Sequence, residues 1–233
     1  MTTPADMSQR LATLRSDLVD QGRRVLAMME ASFDAAFSRD PDRAAAAETQ
    51  DDAVDRVDVA IECAAVQLLT DATRAGAAME PPDLRGVLTV VKVNNELERI
   101  ADCAVEVAGL VRRHTTTTGA YPDTFRVMAN SVIGILRDTN VAVQRGDAAL
   151  AKVVLQSQHA VTAFKAALLR DAEEQIARGA MHVDFAFQLH EMATECERIA
   201  DHCTNIAEQV IYLTTGAIVR HTDAQWVITK PAG

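Results

Sequence analysis

The pentapeptide ERIAD occurs twice in the chain, placing Glu98 and Asp102 in one copy and Glu197 and Asp201 in the other. In a helix each pair lies one turn apart on one face, where like charges cost about 0.2–0.5 kcal/mol. Asp51 and Asp55 have the same spacing, with Asp52 and Asp58 beside them, and Glu106 extends the first row by one turn. Carboxylates so arranged can converge on a hard cation, because their oxygens suit magnesium, calcium, manganese or iron. A cation would also relieve the repulsion. The plainer reading is a solvated helix face that tolerates its charge, and the residues alone leave both readings open.

The rest of the sequence narrows the chemistry. No histidine has a Glu three residues before it, which argues against a helical di-iron carboxylate enzyme. His159, His190 and His202 read as surface or helix-packing residues. The loops that grip phosphates or present a nucleophile (G-x-x-x-x-G-K-[ST], G-x-G-x-x-G, G-x-S-x-G) are absent. The expectation is a protein that is not an enzyme. Cys63, Cys103, Cys196 and Cys203 form no C-x-x-C pair, so they read as reduced core residues of a cytosolic protein. A net charge of -10 argues against a nucleic-acid binder, which needs a concentrated basic face. Stretches free of charge run to only about a dozen residues, short of the ~18 that span a bilayer.

These acids need helices to position them, and the composition supplies them. Ten Gly and six Pro stand beside abundant Ala, Leu, Val, Glu and Arg, a balance that favours helix over turn. Breaks at SRDPDR, MEPPD, HTTTTGAYPD, QRGD and ARGAMH divide the chain into helices over approximately 5–38, 42–77, 83–113, 123–144, 147–178 and 182–215. At the first break Asp40 is placed to cap a helix that opens on Pro41. Gly146 and Gly179 can each close one.

In the third segment Val90, Val93, Leu97, Ile100, Ala104, Val107 and Val111 recur at alternating steps of three and four, an apolar helical seam. Adding 99 to each gives Leu189, Met192, Cys196, Ile199, Cys203, Ile206 and Val210 in the sixth. Val54, Val57 and Ile61 likewise match Val161, Phe164 and Leu168 at an offset of 107. The offsets differ by eight, which fits an insertion before Pro81. The predicted fold is all-α, six long helices forming two tandem three-helix bundles with pseudo-twofold symmetry. The repeats span 1–114 and 123–215, with a linker at 115–122 and a C-terminal tail at 216–233. The positions matching Asp51 and Asp55 are Gln158 and Thr162, and Asn205 replaces Glu106, so the full acidic set belongs to the first repeat alone.

Asp83-Leu84-Arg85, followed by Leu97-Glu98-Arg99-Ile100-Ala101-Asp102, resembles the PhoU family of phosphate-uptake regulators. The resemblance continues in Glu197-Arg198-Ile199-Ala200-Asp201, in Asn205-Ile206-Ala207-Glu208 and in the closing IYLTTG. It implies a cytoplasmic negative regulator of phosphate uptake and of the phosphate-starvation response, peripheral to the inner membrane through its partners. Those partners would be the ATPase of a phosphate ABC transporter and a sensor histidine kinase, with a homodimer through exposed helix faces. Some members of the family bind multinuclear iron or zinc clusters at such acidic motifs. Carried over by position, the implied metal ligands are Asp51, Asp55, Glu98 and Asp102, then Glu197 and Asp201, for iron, zinc, magnesium or manganese. Two other readings stand beside it: a metal-dependent phosphate-handling hydrolase, and a structural helical dimer whose acidic faces are merely solvated.

Overall fold

The described residues form seven helices, whose ends follow local chemistry. A computed structural model describes residues 4–113, 119–222 and 225–229. The helices are α1 (Pro4–Ser38), α2 (Pro41–Glu48), α3 (Asp51–Arg74), α4 (Pro81–Arg113), α5 (Asp123–Arg145), α6 (Ala148–Ala177) and α7 (Val183–Thr215). Asp40 caps α2, its carboxylate accepting from the backbone N–H groups of Asp42 and Arg43 at 3.0 and 3.1 Å. Asp147 does the same for α6 through Ala149 and Leu150. Such caps satisfy amides that the first helical turn leaves without partners. Gly146 ends α5 at φ 60°, a left-handed conformation that a side chain would strain.

The predicted second helix is divided. It splits at Thr49 and Gln50, where two residues turn the chain between α2 and α3. The tail forms an antiparallel hairpin of β1 (Ile218–Thr222) and β2 (Gln225–Thr229), with Val219 buried against the helices. Linker residues 115–118 and tail residues 223–224 and 230–233 lie outside the described residues.

The six long helices fall into two sets, α1, α3 and α4 followed by α5, α6 and α7. Every residue of the two predicted seams is buried, none more than 5% exposed. Burying the larger of these side chains contributes about 1.5–3 kcal/mol each. The buried cluster runs through both repeats without interruption. Its link is the packing of α4 on α7, which also buries Ala101, Ala108, Ala200 and Ala207, whose small side chains let the helices approach. At one end Phe37 of α1 packs against Tyr121 and Phe125, with ring centroids 6.1 and 5.7 Å away, tying the two repeats together a second time.

The pseudo-twofold relation shows in polar pairs as well. Glu96 on α4 accepts from His202 on α7 at 2.7 Å. The positions 99 residues along and back are Glu195 and Cys103, and the Cys103 thiol bonds the Glu195 carboxylate. One cross-helix contact becomes the other when the repeats are exchanged. Cys103, Cys196 and Cys203 are buried as expected. Cys63 is not: it is exposed on the outer face of α3, between Val59 and Val66, both more than half exposed. The apolar spacing there belongs to a face that nothing among the described residues covers.

Candidate functional site

Two acidic faces result, one in each repeat, and each forms where the ERIAD helix packs beside its neighbour. In the first repeat that neighbour is α3. Asp51, Asp55 and Asp58 follow one another along α3 and face Glu98 and Asp102 on α4. Asp51, Asp58, Glu98 and Asp102 are half-buried and Asp55 is exposed, so the acids flank the core in a groove between helices rather than on open surface. Among the described residues, no hydrogen bond or ion pair reaches Asp51, Asp55 or Asp102. Glu98 has only Arg99 near it, at 3.6 Å and largely exposed. Asp58 accepts from the Asn94 amide at 2.6 Å, a neutral donor.

Partial burial, and then like charge, raises proton affinity here. Partial burial holds Asp51 above the usual carboxylate range, with the negative charges of Asp55, Asp102 and Asp52 adding to it. Glu98 is raised by burial and then by Asp102, against a smaller lowering from Arg99. Asp58 is raised by burial, by Glu62 and by Asp55. Desolvation and like charge act in the same direction here.

In the second repeat the neighbour is α6, and the acids are answered. Lys165 Nζ donates to Glu197 Oε2 at 2.7 Å, and Thr162 Oγ1 donates to Glu197 Oε1 at 3.2 Å. The Gln158 side-chain amide donates to Asp201 Oδ1. Asp201 is still raised by burial, but Gln158, His202 and Lys165 all work to lower it. By the offset of 107, Gln158, Thr162 and Lys165 stand where the first repeat has Asp51, Asp55 and Asp58. Three negative charges have become one positive charge. Beside this face a cleft of about 770 Å³ opens between α4 and α7, lined among others by Lys92, Asn95, Glu96, Asp201, Asn205 and Gln209.

The structure therefore brings Asp51, Asp55, Glu98 and Asp102 onto one face and Glu197 with Asp201 onto another. It adds three residues that motif spacing did not single out as functional. Asp58 belongs to the first face. Lys165 belongs to the second, and the 107-residue register would have found it. His202, read as a packing residue, holds Glu96 across the interface together with Asn205 at 3.1 Å; no local spacing signals a contact 106 residues apart.

The two faces differ in how they suit a metal. Among the described residues, no three His, Cys, Asp or Glu side chains are close enough to hold an ion as they stand. The first face nevertheless has the right chemistry, oxygen donors on facing helices whose one nearby ion pair among the described residues is the largely exposed Arg99 beside Glu98. Asp51, Asp55, Glu98, Asp102 and Asp58 are the residues that would hold one. The second face does not fit a metal, because Lys165 already contributes the positive charge and occupies Glu197.

Comparison with other proteins agrees with this architecture. The PhoU domain model matches residues 18–111 and 125–210. A phosphate-specific transport system accessory protein PhoU homolog from Pseudomonas aeruginosa is 30% identical over 216 residues, covering 91% of this chain and 86% of its own. One from Xylella fastidiosa is 27% identical over 207 residues, covering 88% of this chain and 85% of its own. The crystal structure of the phosphate transport system regulatory protein PhoU from Streptococcus pneumoniae superposes with a TM-score of 0.83 at 23% identity, covering 92% of this chain and 99% of that one. The crystal structure of PhoU from Pseudomonas aeruginosa gives 0.82 at 26% identity, over 90% and 99% of the two chains. With both repeats matched and the helical layout shared, the chain belongs to the PhoU domain family.

Proposed function

We propose that this chain is a regulator of phosphate transport, acting as a negative regulator of phosphate uptake and of the phosphate-starvation response. It does so by protein–protein contact rather than catalysis. Its partners are the ATPase of a phosphate ABC transporter and a sensor histidine kinase, which it reaches from the inner face of the membrane. No helix among the described residues is long and apolar enough to cross a membrane, so partners must bring it there. The relatives' role in a phosphate-specific transport system supports the transport assignment.

The observation that carries the reading is the acidic face between α3 and α4. A rigid bundle displays carboxylates, and among the described residues no hydrogen bond or ion pair reaches Asp51, Asp55 or Asp102; such a surface attracts a cationic partner or a bridging metal. A divalent or ferric ion bound there would supply positive charge shared between this face and a partner's oxygen donors. Asp51 and Asp55 would hold it from α3, and Glu98 and Asp102 from α4. In this reading the protein works as a homodimer, and the switch lies in what it docks.

Deleting the gene is expected to derepress phosphate-starvation genes in phosphate-rich medium. Complementation with the wild type restores repression, whereas the Asp51→Asn, Asp55→Asn, Asp102→Asn triple variant does not. Affinity capture from phosphate-replete cells, with elemental analysis of the eluate, identifies the partner and the metal. Unchanged expression in the deletion strain overturns the assignment, and full complementation by the triple variant overturns the role of the acidic face.

A further inference from the structure

We infer that Lys165 is a built-in counter-ion, taking in the second repeat the place that a metal takes in the first, so that the Glu197–Asp201 face neither needs nor accepts a divalent ion. The comparison rests on the cation proposed for the first face. The claim about Lys165 stands or fails separately.

Three observations converge on it. The register between repeats sets Lys165 opposite Asp58, so the lysine stands at an acidic position of the site and not at an arbitrary surface one. Its ammonium lies 2.7 Å from Glu197 with the side chain only 16% exposed, which makes it a fixed member of the face. The other two exchanged positions have changed in concert: Gln158 donates to Asp201 and Thr162 to Glu197. All three substitutions turn potential metal ligands into hydrogen-bond donors aimed at the remaining carboxylates.

The physical equivalence is direct. An ammonium is a compact point charge that can satisfy a carboxylate oxygen much as a bound cation would. It differs in being covalently held, so its neutralising effect does not vary with metal supply. A divalent ion arriving at Glu197 and Asp201 would have to displace Lys165 and Gln158 together. The displaced ammonium would then remain beside it, and two cations sharing this partly desolvated groove repel one another. Asp51, Asp55 and Asp102 present no such obstacle.

The test uses the full chain carrying Asp51→Asn, Asp55→Asn and Asp102→Asn, which silences the first face. Thermal unfolding and electron paramagnetic resonance of free manganese are measured with chelator and with manganese in excess. With Lys165 present, manganese is expected to leave the midpoint unchanged and to remain free. Adding Lys165→Met lowers the midpoint by roughly 2–6 °C in chelator. Manganese about a hundredfold above its Kd then raises it by roughly 5–10 °C. Lys165→Arg keeps the charge and is expected to stay insensitive to manganese. Should Lys165→Met give no folded protein, Lys165→Gln goes through the same arms. Manganese uptake with Lys165 in place overturns the inference, as does a Lys165→Met protein that manganese neither stabilises nor binds. Manganese uptake by the chain with its first face intact tests the first-face reading by itself, without touching the outcome at Lys165.

Discussion

The two repeats display the same pair of acids on the same face of equivalent helices, yet leave them in opposite electrostatic states. Glu98 and Asp102 look across at Asp51, Asp55 and Asp58, and partial burial with like charge raises their site's proton affinity. Glu197 and Asp201 look across at Lys165, Thr162 and Gln158, which donate to them. The ERIAD helix is common to both. The facing helix decides whether the motif becomes a site seeking a cation or a closed polar network. A motif on one helix is therefore half a statement about chemistry, and its partner completes it.

The core offers the control for this contrast, because there the repeats are alike. Ile100 and Ile199 occupy equivalent seam positions and both are fully buried. Ile100→Ala and Ile199→Ala are each expected to cost about 2–5 kcal/mol by urea unfolding. Costs that differ by more than the whole of that range's width would break the equivalence of the two bundles. A smaller loss is expected at the interface between them. Glu96→Ala removes the acceptor of His202, a partly buried contact, and of Asn205, an exposed one, and should cost about 1–3 kcal/mol. An unaltered unfolding midpoint there would mean that the polar pair contributes nothing to holding the repeats together.

How much of this the sequence discloses depends on the range of the interaction. The seams were legible because helical packing imposes a short period, and all fourteen positions are buried in the structure. Asp40 was legible as a helix cap, and Gly146 as a helix end, for a similarly local reason. The turn at Thr49 and Gln50 was not, since neither residue is a helix breaker and the chain resumes helix within two residues. Cys63 misled because a small apolar side chain at helical spacing looks the same on an uncovered face as in a core. The acids were found by motif, but their states were not, because Lys165 lies 32 residues from Glu197 and His202 lies 106 from Glu96. The internal repeat is the one sequence signal that reaches so far, and at 107 residues it pairs Asp58 with Lys165.

The electrostatic contrast itself predicts substitutions of opposite sign. Glu197→Gln strands the Lys165 ammonium, a pair whose side chains are 16% and 29% exposed, and should destabilise by about 0.5–1.5 kcal/mol. Glu98→Gln removes a charge that repels Asp102 and should stabilise by about 0.2–0.5 kcal/mol in chelator. Stabilisation in both, or loss in both, would show that the two faces share one electrostatic character after all.

The smallest effect is a dependence on pH, and its sign follows from the raised carboxylates. In Asp51 and Glu98 the folded protein holds its proton to a higher pH than the unfolded chain does. Between the unfolded and folded values the native state binds more protons, so stability falls as pH rises through that window. Above it the repulsion is fully present; below the ordinary values of 3.8 and 4.5 these groups are neutral in both states and contribute nothing. An Asp51→Asn, Glu98→Gln double variant should accordingly exceed the wild type in stability at neutral pH, and the advantage should shrink steadily on acidification. The measurement is a set of urea midpoints for both proteins in chelator from pH 7 down to about pH 4, close to the ordinary carboxyl values. Manganese at neutral pH should erase the same advantage from the opposite direction, because a bound cation relieves in the wild type what the amides relieve in the variant. An advantage that grows on acidification would mean that the first face is already neutralised within the chain, as the second one is.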